Sequence, residues 1–201
     1  MTNRVSFPTA IVLVLLPACL TAGPAHAHGF TGSGWLHPLT GPDHMLAMLA
    51  VGAWSAQLGG RAIWAVPSAF VCAMAIGGMA AFRGGSLPGT EILIAAWVLG
   101  LGLAIALDRR FAWPVAALAT ALFGLAHGSA HGSEMPSTAD AASYVIGFLV
   151  TTAGLHVAGA AGGLLLLEQA RGRGWLRLAG AATTVTGLLL AFVVVGRWEA
   201  P

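Results

Sequence analysis

The stretch AIWAVPSAFVCAMAIGGMAAF, residues 62–82, is apolar throughout and contains no charged residue. A run of this length predicts a helix that can cross a bilayer, since a transmembrane helix needs about 20 mostly apolar residues. Comparable runs recur, and helical spans are predicted at residues 43–58, 62–82, 91–107, 113–127, 142–167 and 176–195. Lipid does not tolerate open backbone groups, and the alternation of a β-barrel is absent. The predicted fold class is therefore all-α, a polytopic membrane bundle of six transmembrane helices.

The composition of the whole chain agrees with a membrane protein. Of the 201 residues, 57% are hydrophobic and 8% are charged, whereas soluble domains carry roughly 25% charged residues. So few charges cannot cover the surface of a soluble domain, which excludes a cytosolic enzyme, a coiled coil and a disordered chain. The formal net charge is +2 and lysine is absent, so no basic stripe is available for nucleic acid. The expected partner is the lipid bilayer.

The N-terminal segment, residues 1–27, has the pattern of a secretory signal peptide. Arg4 precedes a short apolar run, and the small-x-small motif Ala-His-Ala ends the segment at residues 25–27. Cleavage after this motif would leave residues 28–201 as the six-helix transmembrane domain. Two alternatives stay open: an uncleaved membrane anchor, and a lipoprotein box around Cys19.

The arginines predict how the spans are oriented. Cleavage of a signal peptide places the N-terminus in the periplasm, and six spans return the C-terminus to the same side. The cytoplasmic loops then hold more arginines than the periplasmic segments, namely Arg61, Arg109, Arg110, Arg171, Arg173 and Arg177 against Arg83 and Arg197. This distribution obeys the positive-inside rule. The predicted localisation is the bacterial inner membrane with both termini periplasmic.

A first group of ionisable residues lies where the first span begins, in the sequence HPLTGPDH at residues 37–44. Pro42 suits the first turn of a helix, which places Asp43 and His44 in that turn. His37 precedes the break and can fold back over the helix end. Imidazole and carboxylate groups are ligands of divalent transition metals. The structural alternative is ordinary, because an aspartate also stabilises a helix N-terminus.

A second group lies at the end of the fourth span, in the sequence HGSAHGSE at residues 127–134. His127, His131 and Glu134 are spaced i, i+4 and i+7, so they share one face of a helix. The predicted topology places them on the same, periplasmic side as the first group. A polar loop with scattered histidines is the alternative. Ionisable groups close to hydrocarbon are usually functional, and the two groups together predict one shared metal site.

Two further histidines have open roles. His28 would become the N-terminal residue after cleavage, where it is either a metal ligand or part of a mobile tail. His156 lies inside the fifth span, beside Gly154 and Gly159. It is a second metal station, a proton carrier or a packed, hydrogen-bonded side chain.

The two motifs carry a family resemblance. HPLTGPDHMLAML and AHGSAHGSEMP resemble the first and second signatures of the HupE/UreJ membrane proteins, and the resemblance extends over the whole chain. It implies a permease rather than an enzyme, without a prosthetic group, that transports nickel and in some members cobalt for hydrogenase or urease maturation. Carried over by motif, the implied metal ligands are His37, Asp43, His44, His127, His131 and Glu134. Ala126 departs from the pattern, since an aromatic residue often stands there.

The residues alone leave the metal and the function class open. Ni²⁺, Co²⁺, Zn²⁺ and Cu²⁺ all accept histidine and carboxylate ligands, so nickel follows from the resemblance. The alternatives are an intramembrane zinc-dependent hydrolase and a membrane-anchored metal sensor or chaperone. The sequence lacks the HExxH and GxSxG motifs of common hydrolases. It also lacks the GxxxxGK[ST] phosphate loop, so entry driven by the membrane potential is expected.

Overall fold

The computed structural model describes residues 34–40, 42–133, 135 and 141–199. Every regular element among these residues is a helix, which confirms the all-α prediction. The seven described helices are α1 (His37–Thr40), α2 (Pro42–Leu58), α3 (Ala62–Phe82), α4 (Thr90–Ala106), α5 (Trp113–Ser133), α6 (Ala141–Leu167) and α7 (Gly172–Glu199). The segment predicted to be a signal peptide lies outside the described residues.

Each of the six predicted spans corresponds to one long helix, but α5 and α7 are longer than expected. The prediction for α7 was residues 176–195, whereas the helix runs over Gly172–Glu199. The prediction for α5 ended at residue 127, whereas α5 continues to Ser133. Gly128 and Gly132 lie in this added part of the helix and do not end it. Both glycines pack against the backbone of α3, where a methyl group would overlap the Met74 carbonyl oxygen and the Gly78 carbonyl oxygen respectively. Tertiary packing therefore stabilises the last turn of α5.

Three of the described helices are long and apolar enough to cross a membrane by length and composition. They are Ala62–Phe82, Ala141–Leu167 and Gly172–Gly196. The apolar helix α4 has 17 residues, as does α2. Large apolar side chains cover the outer surface, among them Phe192, which is 80% exposed, and Trp64, which is 73% exposed. Such a surface fits a lipid environment, and the number of six spans stays a prediction.

Two of the three main helix pairs are parallel and are held together by glycines. In the pair α3–α5, Gly77 lies against the Leu125 carbonyl and Gly124 against the Phe70 carbonyl, too close for any side chain. In the pair α2–α6, Gly159 lies in the same way against the Leu49 carbonyl. Small residues allow helix backbones to approach this closely, which compensates for the missing hydrophobic driving force between helices in lipid.

The third pair, α4–α7, is antiparallel. Gly102 contacts Gly180 and Thr184, while Gly187 contacts Leu99, so residue numbers rise along α4 as they fall along α7. Substituting a larger side chain at these positions would separate the two helices. The three pairs together form the helix bundle.

The bundle has a basic end and a histidine end. At the basic end, the Asp108 carboxylate accepts hydrogen bonds from Gln57 at 2.9 Å and from Arg173 at 3.0 Å. Gln57 lies at the C-terminal end of α2, whereas His44 lies in the first turn of the same helix. His44 and Gln57 are 13 residues apart on α2, so the histidine end and the basic end are separated by about 20 Å.

Candidate metal centre

Four histidines from three helices meet at the end of the bundle opposite the arginine-rich loops. We call them the histidine cluster: His37 on α1, His44 on α2, and His127 and His131 on α5. The short helix α1 turns the chain back over the start of α2, as the sequence predicted for His37. The Thr40 hydroxyl donates to the His37 carbonyl at 3.0 Å and closes this turn.

The position of the two α5 histidines follows from the helical repeat. Gly128 and Gly132 lie against α3, and this packing turns the neighbouring face, with His127 and His131, toward α2. The rings of these two histidines are 4.8 Å apart, and each is also 4.8 Å from the His44 ring. The i, i+4 spacing therefore brings both imidazoles to one partner from a distant part of the sequence.

The ligand atoms of the cluster occupy a small volume. One ring nitrogen each from His44, His127 and His131 lies within 4.8 Å of the others. Two imidazole nitrogens bound to one zinc-sized ion lie at most about 4.2 Å apart, because each bond is about 2.1 Å long. Small ring rotations would therefore bring the three nitrogens onto a single ion. His127 and His131 are 2% and 4% exposed, so the site lies inside the bundle.

His131 is the centre of the hydrogen-bond network. Its Nδ1 lies 3.0 Å from His37 Nε2, and its Nε2 lies 2.9 Å from His44 Nε2. A neutral imidazole has one donor and one acceptor nitrogen, so each contact pairs a donor with an acceptor. A metal ion would take the place of a proton on these nitrogens. The imidazole–imidazole contacts therefore hold the rings in place, and loss of the shared protons would free their nitrogen lone pairs for a cation.

Aromatic side chains from α6 complete the wall of the site. The Phe148 ring is 4.6 Å from the His131 ring, and the Tyr144 ring is 6.2 Å from the His37 ring. Neither residue was predicted to lie here. The available signal was their i, i+4 spacing at the outer end of a predicted span, but the same pattern is typical of ordinary helix packing. These rings exclude water from one side of the imidazoles.

The structure does not place every predicted ligand. Asp43 lies in the first turn of α2, as expected, but its side chain is outside the described residues, as are Glu134 and His28. The carboxylate part of the site therefore stays a prediction. His156 is described and lies on α6, deeper in the bundle and apart from the trio of His44, His127 and His131.

Comparison with known proteins identifies the family. The profile of the family described as "HupE / UreJ protein" matches residues 10–190. The chain is also similar to "Protein HupE" of Rhizobium leguminosarum bv. viciae, with 42% identity over 187 residues, which cover 90% of this chain and 95% of the relative. No solved structure matches the chain. With most of its length matched, and with the histidines of both signature motifs adjacent in space, the chain belongs to the HupE/UreJ family.

Proposed function

We propose that the protein is an inner-membrane permease for a divalent transition-metal ion, with nickel as the main cargo and cobalt as the second. The observation that supports this best is the trio of half-buried His44 with buried His127 and His131, whose nitrogens lie within 4.8 Å of one another. Imidazole ligands suit Ni²⁺, Co²⁺, Zn²⁺ and Cu²⁺ alike, so the choice of nickel rests on the family resemblance. The same resemblance assigns the metal to hydrogenase or urease maturation.

The proposed ligands have different roles. His44, His127 and His131 bind the ion, and His37 orients the His131 ring through their 3.0 Å contact. We assign Asp43 and Glu134 to the capture of the hydrated cation, because carboxylates attract cations and begin to replace their water. Histidine and carboxylate ligands hold these ions less firmly than several thiolates would, which suits a protein that must release its cargo.

The proposed direction of transport is from the periplasm to the cytoplasm. The loops rich in arginine lie at the end of the bundle away from the histidine cluster, and arginine-rich loops favour the cytoplasmic side. The histidine cluster would then face the periplasm, with both termini on that side after signal cleavage. A negative-inside potential favours entry of a doubly charged ion by about 4.6 kcal/mol per 100 mV. This driving force is sufficient without ATP hydrolysis.

Influx into liposomes tests the function. Purified full-length protein should carry Ni²⁺ into vesicles under an inside-negative potential, in competition with Co²⁺. His131→Ala should abolish influx, since it removes the nitrogens that contact both His37 and His44, while the folded protein is still recovered. Cleavage of lipid or peptide would instead support the hydrolase, and binding without influx would support a sensor or chaperone. Normal influx by His131→Ala would remove the proposed site.

A further inference from the structure

His156 is a buried histidine that the proposed site does not use. It is fully buried on α6, and neither of its ring nitrogens has a hydrogen-bond partner among the described residues. Among the described residues, His156 is therefore not the packed, hydrogen-bonded side chain that was one of its three predicted roles. Buried polar groups without partners are rare in native proteins and call for a specific explanation. A neutral imidazole whose acceptor nitrogen has no hydrogen-bond partner is suited to bind a cation in transit.

The depth of His156 follows from its position along α6. Phe148, which contacts the His131 ring, precedes His156 by eight residues on the same helix. At about 1.5 Å per residue, His156 therefore lies about 12 Å further toward the arginine-rich end. It stands near the middle of the 27-residue helix, where a charge without a ligand is most costly.

The Phe70 side chain connects the histidine cluster with His156. Phe70 is fully buried on α3, and its ring is 5.8 Å from the His127 ring and 4.9 Å from the His156 ring. The Phe123 ring packs against it at 5.1 Å. A phenyl ring has no lone pair for a transition metal, and apolar constrictions close pores by excluding water. The ring therefore separates the two sets of imidazoles.

Beyond His156, a groove opens between α3 and α6. It has a volume of about 440 Å³ and borders His156, Ser68 and Cys72, but its lining is mostly apolar and includes the outward-facing Trp64 and Val157. The α3 residues belong to the half of the helix that follows Arg61, and the α6 residues to the half that ends at Leu167. The groove thus lies in the arginine-rich half of the bundle, on the side away from the histidine cluster.

We propose that His156 is a second, inner binding station for the divalent metal ion and that the Phe70 side chain is the barrier between this station and the histidine cluster. The proposal rests on the permease function proposed above. The ion binds to His44, His127 and His131, passes Phe70 when the ring rotates away, and binds to His156 before it continues toward the arginine-rich end. Two stations in series let the ion cross the membrane interior in short steps.

Binding of Co²⁺ to the purified full-length protein tests the inner station. His156→Phe keeps an aromatic ring in the packing against Phe70 but removes both nitrogens, and His156→Gln is a second variant if the first fails to fold. We expect each folded variant to lose one bound Co²⁺ per chain relative to the wild type. The visible Co²⁺ spectrum of the histidine cluster should be unchanged, which reports that the fold is intact. Unchanged stoichiometry in both variants would overturn the inner station.

Influx of Ni²⁺ into liposomes tests the barrier. His156→Phe should lower influx by about tenfold or more, and Phe70→Ala should raise it and admit other divalent cations such as Mg²⁺. Phe192→Ala is the matched control, because Phe192 is a phenylalanine on the outer surface and should behave as wild type. Equal influx in Phe70→Ala and Phe192→Ala would overturn the barrier. If the wild type binds Co²⁺ but carries no Ni²⁺, the permease fails, while the Co²⁺ stoichiometry still decides the inner station.

Discussion

At the scale of the residue, His131 is the histidine that connects the others in the cluster. Both of its ring nitrogens contact another imidazole, one of His37 and one of His44. His127 contributes a third nitrogen from one turn earlier on α5. His37 is not part of the closest trio and contacts the site through His131. We therefore assign three of the four histidines as the proposed ligands and His37 as the residue that orients one of them.

This division predicts graded effects on metal affinity. His37→Ala should weaken Ni²⁺ binding by about 10–100-fold, which is typical for loss of a residue that orients a ligand. His131→Ala should weaken binding further, since it removes a ligand and the orienting contact together. Isothermal titration calorimetry of the purified variants measures both values. Ser133→Ala, whose hydroxyl donates to the Ala130 carbonyl on the same helix, is the control. A larger loss for His37→Ala than for His131→Ala would contradict the assigned roles.

Sequence patterns predicted part of this site. The i, i+4 spacing of His127 and His131 fixes their common face, and Pro42 fixes the start of the helix that carries His44. Phe70 and Phe148 were not predicted, because nothing in a single sequence indicates which of many apolar residues on a helix face the interior. The contacts of His156 depend on three helices packing together. Local patterns therefore predict candidate ligands, whereas the proposed barrier at Phe70 depends on tertiary structure.

At the scale of the helix, glycine determines which face packs and how closely. Gly100 and Gly102 both lie on α4, two residues apart, so they point to different faces. A side chain on Gly100 would meet no other atoms within 4 Å, whereas one on Gly102 would clash with the Thr184 side chain and the Gly180 carbonyl of α7. The sequence alone does not distinguish these two glycines, because the partner helix of each face is set by tertiary packing.

The pair of glycines provides a matched test of helix packing. Gly102→Leu should separate α4 from α7 and destabilise the protein by about 1–3 kcal/mol or more, the usual cost of overpacking a filled interface. Gly100→Leu adds the same side chain to the same helix on an open face and should leave stability close to wild type. Thermal unfolding in detergent, followed by circular dichroism, measures the difference. Equal melting temperatures for the two variants would show that α4 and α7 do not pack as described.

At the scale of the whole molecule, the helix pairs form a symmetrical pattern. The first three long helices, α2, α3 and α4, correspond in order to the last three, α5, α6 and α7. Under this correspondence the pair α2–α6 becomes the pair α5–α3, and the pair α4–α7 becomes itself. Both exchanged pairs are parallel, as the glycine contacts show. This is the contact pattern of an inverted repeat, an arrangement that recurs in membrane transporters. The sequences of the halves are too dissimilar to reveal it, because packing constrains residue size more than identity.

The same arrangement predicts the orientation of the bundle in the membrane. Asp108 holds Arg173 at the end of the bundle that carries most arginines, far from His44, and that end should face the cytoplasm. Alkaline phosphatase, which is active only in the periplasm, should therefore be active when fused after Gly85 or Pro201 and inactive when fused after Arg110. Green fluorescent protein fused after Arg110 should fluoresce. The opposite result would place the histidine cluster in the cytoplasm, where an inside-negative potential would oppose rather than favour passage of the ion from that site across the membrane.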